Sequence, residues 1–315
     1  MEYWSIGVLG TTEGEKGGKG ELRIRVTDLG VMLSTHGGGN LEPACVGQEY
    51  ILAITQHDIT TGLRELGLKA GDSVLTHSSL SSLGRVEGGA DAVIGAIIEA
   101  VSPGGTVLFP TLTGCEALSP ENPPVFDVLN TPCWTGAIPE TARRMPGFIR
   151  SAHPTHSVCA FGDRARWFTE DHEHCATPCG FGSPYDKLGQ ADGYILLIGI
   201  THSSNTSMHL MEEIAGVPWH MQEGTALATI TYANGELDRV PVTLHKYGTP
   251  RDFTRIEPEM LLGGIQVNGR IGESTIRLVK AREMAYLVLA RLDEDSSMLL
   301  PGLPTEDSPS QPPKS

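Results

Sequence analysis

Two short apolar runs, SVLTH (Ser73 to His77) and TVLFP (Thr106 to Pro110), stand on either side of an apolar-periodic stretch, ADAVIGAIIEAV. That stretch opens after Gly88-Gly89 and stops at the SPGG turn, Ser102 to Gly105. The outer runs have strand length, and the inner one has helical length and spacing. A crossover of this size joins parallel strands, and parallel strands are covered by helices on both faces. The chain is thereby constrained to an α/β class with a mainly parallel central sheet flanked by helices.

The rest of the pattern extends this unit. A helix is expected after Asp58 (DITTGLRELGL), with Asp or Thr as its cap. Further helices are expected near Ala137 to Met145, Ser207 to Ile214, Pro258 to Leu262 and Ala281 to Leu292. YILLIGI, Tyr194 to Ile200, reads as a buried strand, and Ser157 to Phe161 as another. The register then changes. Two alternating runs flank Asn234-Gly235, which predicts an antiparallel hairpin at a sheet edge or in a small subdomain of the C-terminal half.

The ends read differently. Residues 1–55 are Gly-rich and weakly periodic, an extension with a short hairpin expected around Glu21 to Val26. Residues 294–315 carry the Pro, Ser and charge content of a mobile tail, which leaves 56–293 as the domain. The N-terminus lacks the basic-then-apolar order of a signal peptide, and no run of about 18 apolar residues occurs. Six scattered cysteines read as reduced thiols in a cytoplasmic protein. The formal charge of −15 repels nucleic acid and anionic lipid and attracts cationic ligands, although an acidic surface also serves solubility alone. Neither a nucleic-acid nor a membrane partner is expected, and a monomer or a homodimer is.

Four segments carry residues suited to chemistry. In Thr76 to Ile98 a strand runs into small hydroxyl residues, a glycine turn and a helix start. Free N–H groups at such a place cradle anions, so Ser78, Ser79, Gly84 and Val86 are candidates to hold a pyrophosphate; a plain strand-to-helix loop has the same composition. RSAHPTHS, Arg150 to Ser157, puts an arginine beside two histidines, suited either to an anion or to structure. In the helix after Tyr194 to Ile200, His209 and Glu212 share a face at i, i+3, and Glu213 lies at i+4. An imidazole oriented by a carboxylate is a suitable general base, and equally a common structural pair. DHEHCATPC, Asp171 to Cys179, is rich in His and Cys but lacks paired zinc-ligand spacing, so no metal is expected.

Taken together, LKAGDSVLTHSSLSSLG, SPGGTVLFPTLT, TGAIPETARRMPGFIRSAHPTHSVCAFG, FGSPYDKL, GYILLIGI and NTSMHLMEE occur in an order that resembles the aminoglycoside 3-N-acetyltransferase family. The resemblance runs from about Asp58 to about Leu292. It implies acetyl transfer from acetyl-CoA to the 3-amine of a 2-deoxystreptamine aminoglycoside. It places the active-site histidine at His209, with Glu212 beside it. It assigns His77, Ser78, Ser79, Leu80, Gly84 and Val86 to the CoA site, and His153, Pro154 and Ser157 to its channel or the catalytic pocket. Met208 stands where the family pattern has leucine, and GVPWHMQEG, Gly216 to Gly224, has no clear counterpart.

The chemistry adds two requirements. The tetrahedral intermediate needs an oxyanion donor, for which a backbone N–H of the Ser78 to Leu80 turn and the hydroxyl of Thr111, a residue also expected at the CoA site, are candidates. A polycationic acceptor needs carboxylates, for which Glu213, Glu116 and Glu223 are candidates. Two other activities are compatible with these residues: a related CoA-dependent acyltransferase on a non-antibiotic amine, and a metal-dependent hydrolase built on His153 to Cys179.

Overall fold

The computed structural model describes residues 53–301. The hairpin expected at Glu21 to Val26 lies outside the described residues, as does the end of the tail. The first helix, α1 (Gln56–Glu65), starts ahead of Asp58 because Thr55 is its cap. Thr55 Oγ1 accepts from the Asp58 N–H at 3.2 Å, and the Asp58 carboxylate accepts from the Thr55 N–H at 2.8 Å. This reciprocal pair satisfies donors that a helix start otherwise leaves open.

β1 (Ser73–Ser78), α2 (Gly89–Val101) and β2 (Thr106–Pro110) form the strand–helix–strand unit. β3 (Val125–Asp127), α3 (Ala137–Ala142), β4 (Ile149–Arg150), β5 (Val158–Gly162), α4 (Ala165–Thr169), α5 (Pro184–Gln190) and β6 (Tyr194–Ile198) follow. α6 (Met208–Ala215), β7 (Ala226–Thr231), β8 (Leu237–Val242), α7 (Glu257–Leu262), β9 (Gln266–Ile271), β10 (Ser274–Lys280) and α8 (Ala281–Glu294) complete the order.

The main sheet has seven strands in the order β4-β5-β2-β1-β6-β10-β9. Its centre is parallel: β1 pairs with β2 on one side and β6 on the other, so Leu75 faces Leu108 and Ile195. The flanking strands β4, β5, β9 and β10 pair antiparallel. The sheet is therefore mixed around a parallel core. The hairpin of β9 and β10 is not among the expected elements. Its turn passes through Gly272 at φ +56, where a Cβ would meet the Leu83 carbonyl oxygen at 2.5 Å.

Side-chain alternation divides the core into two layers. Val74, Val107, Leu196 and Ile198 point to the face covered by α1 and α2. Leu75, Leu108, Ile195 and Leu197 point to the face covered by α5, α6 and α8. Each such side chain contributes about 1.5–3 kcal/mol by leaving water. Leu299 is fully buried in the second layer, so the packed core reaches into the stretch whose composition reads as a tail.

The Asn234-Gly235 hairpin forms as expected, between β7 and β8, with Gly235 at φ +85. It builds its own three-stranded sheet by adding β3 parallel to β7, and buries Phe126, Ala228, Ile230 and Val240 in a third small core.

Candidate active site

The carboxyl ends of β1, β2 and β6 lie side by side, where ligands of open α/β sheets bind. Ser79 N–H donates to the Ile198 carbonyl at 2.9 Å and so ties the loop after β1 to the end of β6. Beside it opens a cavity of about 600 Å³, lined by Ser78, Ser79, Leu80, Gly84, Val86 and Gly89, and closed by Gly136 and Ala137 at the start of α3. Gly84 sits at φ 78, ψ −148, a conformation for glycine alone, and a Cβ would also meet Glu273 Cδ at 2.9 Å. Gly89 is the first residue of α2, whose first turn has no side-chain cap. The Gly89 N–H is spent on the Val86 carbonyl at 3.2 Å, and the positive end of the helix dipole lies at this rim of the cavity. Ser78 lines the cavity, and its hydroxyl is buried without a hydrogen-bond partner among the described residues.

Five of the expected CoA residues thus share one cavity, and four do not line it. His77 points into the interior, where burial, aided by repulsion from His202 and His209, lowers its pKa to about 3. Thr111 and Ser157 are wholly buried and bond to each other at 3.0 Å. Both accept from Arg150 Nε, at 3.1 and 3.0 Å, and Arg150 also donates to the carbonyls of Thr111, Thr131 and Val128. The Thr111 hydroxyl is consumed there, and it is no oxyanion donor. His153 is buried under His172, and its Nδ1 accepts from the N–H groups of Thr155 and His156. It shapes the HPTHS loop.

The His209–Glu212 pair forms as its spacing predicts. His209 Nδ1–H donates to Glu212 Oε2 at 2.7 Å, which leaves Nε2 as the basic nitrogen. The His209 side chain is 22% exposed and the Glu212 side chain 0%. Glu212 Oε1 accepts from Arg251 Nε at 2.8 Å and from Trp219 Nε1 at 3.3 Å. Burial opposes ionisation of Glu212. The hydrogen bond and charge of His209, with the charges of His220 and Arg251, outweigh it and hold the carboxyl down at about 2.

The next residue repeats the arrangement. Glu213 is 1% exposed and accepts from His245 Nε2–H at 2.6 Å and from the Cys179 N–H at 2.9 Å. Both oxygens are engaged inside the protein, so Glu213 does not face an acceptor as the sequence suggested. Burial, with repulsion from His220 and His209, pushes His245 well below the ordinary imidazole value. His220 stacks on His209 with ring centroids 4.8 Å apart, and its Nδ1 accepts from Arg251 Nη2 at 2.9 Å. His220 and His245 come together through a short pairing of their segments: Lys246 N–H donates to the His220 carbonyl, and Gln222 N–H to that of Leu244. Neither residue, nor Trp219 or Arg251, carries a spacing signal in the sequence; Trp219 and His220 fall in the GVPWHMQEG segment that the family pattern leaves unmatched.

Glu116 and Glu223 are exposed, on loops joined by Gln222 Nε2 donating to the Leu118 carbonyl at 2.9 Å. Beneath these loops a narrow slot runs between Gly114, Cys115, Gln222 and the rings of His156 and His245. The Asp171 to Cys179 cluster disperses on folding. His172 uses Nδ1 on Ser151 Oγ and Nε2 on the Pro178 carbonyl, which leaves no nitrogen for a metal. Cys179 instead lies with His156 and His245, and a second trio is His209, His220 and His245; within each, the ligand atoms lie within 4.8 Å of one another. Burial pushes the thiols of Cys159 and Cys179 up, which withholds the thiolate an acyl-enzyme would need.

Known proteins resemble this chain over the same span. The family model for aminoglycoside 3-N-acetyltransferase matches residues 75–293. Aminoglycoside N(3)-acetyltransferase IV of Salmonella is 30% identical over 240 residues, 76% of this chain and 87% of that protein. The structure of AAC-IIIb with CoASH superposes with a TM-score of 0.66 at 28% identity, over 77% of this chain and 97% of that one. A histidine-to-alanine variant of aminoglycoside acetyltransferase AAC(3)-IVa in complex with a gentamicin gives a TM-score of 0.68 at 28% identity, over 80% and 93%. The chain belongs to the aminoglycoside 3-N-acetyltransferase family.

Proposed function

We propose that this protein acts in the cytoplasm, transferring acetyl from acetyl-CoA to the 3-amino group of a 2-deoxystreptamine aminoglycoside, with His209 as general base. The observation that carries this reading is the partly exposed His209 beside a buried, ionised Glu212, in a molecule where five of the expected CoA residues line one cavity at the uncapped start of α2. The solved relatives with CoASH and with gentamicin support the two ligands.

The cavity takes CoA, with its phosphates at the uncapped start of α2. The acceptor amine, in its neutral form, attacks the thioester carbonyl. His209 Nε2 takes the amine proton as the C–N bond forms, and Glu212 stabilises the imidazolium. The Ser78 hydroxyl, buried without a hydrogen-bond partner among the described residues, donates to the oxyanion. As the C–S bond breaks, the imidazolium returns the proton to the CoA sulfur. Glu116 and Glu223, exposed and unspent, hold ammonium groups of the acceptor.

The test is acetyl-CoA turnover against gentamicin-, kanamycin- and neomycin-type acceptors, read as acetylated product. Turnover on at least one is expected. Turnover only on amines without a 2-deoxystreptamine ring would move the protein to the related non-antibiotic acyltransferases.

A further inference from the structure

Glu212 Oε2 lies between two imidazoles, 2.7 Å from His209 Nδ1 and 3.3 Å from His220 Nδ1. The two rings are stacked, 18° from parallel with centroids 4.8 Å apart. The other nitrogen of His220, Nε2, lies 3.6 Å from Glu213 Oε1. Carboxylates on both sides of an imidazole favour its charged form. A charged His220 would compete for Glu212 Oε2 and repel an imidazolium forming on His209.

Arg251 settles this competition. Its side chain is 14% exposed, and Nε donates to Glu212 Oε1 at 2.8 Å. Nη2 donates to His220 Nδ1 at 2.9 Å, and Nη1 to the Thr249 carbonyl at 2.9 Å. A guanidinium has donors only, so the lone pair of His220 Nδ1 is spent and the ring hydrogen sits on Nε2, facing Glu213. The trio of His209, His220 and His245 therefore has no third lone pair to give a metal.

We propose that Arg251 is a positioning residue for acetyl transfer: its fork binds Glu212 and His220 Nδ1 together, keeps His220 neutral, and reserves the carboxylate and the incoming proton for His209. The inference rests on His209 being the base. Burial of His220 and repulsion from His209 act in the same direction as Arg251, while the Glu213 bond and the charges of Glu212 and Glu213 act against it. His245, with its ring centroid 4.0 Å away, is the other titratable group against His220. A lysine carries the same charge as a point and lacks the fork that reaches both partners.

Ring ¹⁵N–¹H correlation spectra of the full-length protein read the arrangement without turnover, with His220 assigned by its loss in His220→Phe. In the wild type a neutral ring with its hydrogen on Nε2 is expected, unchanged from pH 8 to pH 5. In Arg251→Gln the same ring is expected to titrate within that range. The acid limb of kcat/KM should then steepen by one proton relative to wild type, a further fall of about tenfold per pH unit. Ionisation of the acceptor amine is common to both proteins and cancels. His220→Phe added to Arg251→Gln keeps an aromatic ring against His209 and should restore the wild-type slope. A purely structural Arg251 would lower the urea midpoint and leave the slope alone. A wild-type His220 that is charged, or that carries its hydrogen on Nδ1, overturns the proposal whatever the variants do. So does a His220 that stays neutral in Arg251→Gln. If His220 titrates in that variant and the slope does not change, the role of Arg251 in catalysis falls and the acetyltransferase reading stands. If the spectra are as expected and the wild type acetylates no aminoglycoside, that reading falls and the hold of Arg251 on His220 stands.

Discussion

Glu212 and Glu213 are neighbours on α6, and each holds a histidine, yet the two pairs are built for different work. Glu212 orients a ring that is 22% exposed. Glu213 orients a ring that is 6% exposed and packed between His156 and His220. Pairing alone therefore does not make a base. What separates the two is access to a substrate and the charge that steadies the carboxylate: Arg251 for Glu212, a backbone N–H and neutral imidazoles for Glu213.

The sharpest way to break this contrast is His209→Ala. General-base catalysis contributes about 10²–10⁴-fold, and a loss in kcat of that order is expected in steady-state assays with the fold verified by circular dichroism. Activity within a few-fold of wild type would remove His209 from the mechanism and make the two pairs alike.

Glu212→Gln comes next. It leaves the Arg251 guanidinium without its carboxylate in a largely buried place, and losing one partner of such a pair costs about 3–5 kcal/mol. The urea midpoint should fall accordingly, and kcat should fall without a rise in the KM for acetyl-CoA. A change confined to the acceptor KM would make Glu212 a substrate ligand.

How much of this was legible beforehand follows from the range of each interaction. The β1–α2–β2 unit and the His209–Glu212 pair are set by spacing within one or two elements, and both formed as read. Thr55 rather than Asp58 caps α1 because both residue types serve as caps, and here Asp58 is the N3 partner of a reciprocal bond. The β9–β10 hairpin escaped because its turn depends on the close approach of Gly272 to Leu83, a contact nearly two hundred residues apart in the chain. His220, His245 and Arg251 escaped for the same reason: they meet Glu212 and Glu213 through loops whose only signal is the finished fold. Thr111 and Ser157 failed as CoA contacts because the demand of one buried arginine consumed their hydroxyls.

Acid should act on both pairs' surroundings in a definite order. His172 and His77 are buried and neutral, burial lowering their pKa values to about 4 and about 3 from 6.5. A base with a depressed folded value contributes stability that is full above the unfolded value and is lost as pH falls toward the folded one. Loss should therefore begin below pH 6.5. Glu212, held at about 2 against 4.5, adds a second loss between those values, of roughly 3 kcal/mol. Urea midpoints at pH 7.5, 6 and 5 check this, and a flat profile across them would mean the histidines are not neutral in the fold.

The smallest effect, and the finest test of the contrast, is Glu213→Gln. The amide oxygen can still accept from the Cys179 N–H, while the amide NH₂ faces His245 Nε2 and turns that ring to its other neutral tautomer. Both bonds survive in weaker, uncharged form, so the cost should stay near 1–3 kcal/mol. Nothing in this exchange touches His209 or the Arg251–Glu212 contact, so kcat should fall far less than in Glu212→Gln. Should the two variants lose kcat equally, His220, stacked between the His209 and His245 rings, would be carrying protons from one pair to the other, and α6 would hold a single relay in place of one base and one brace.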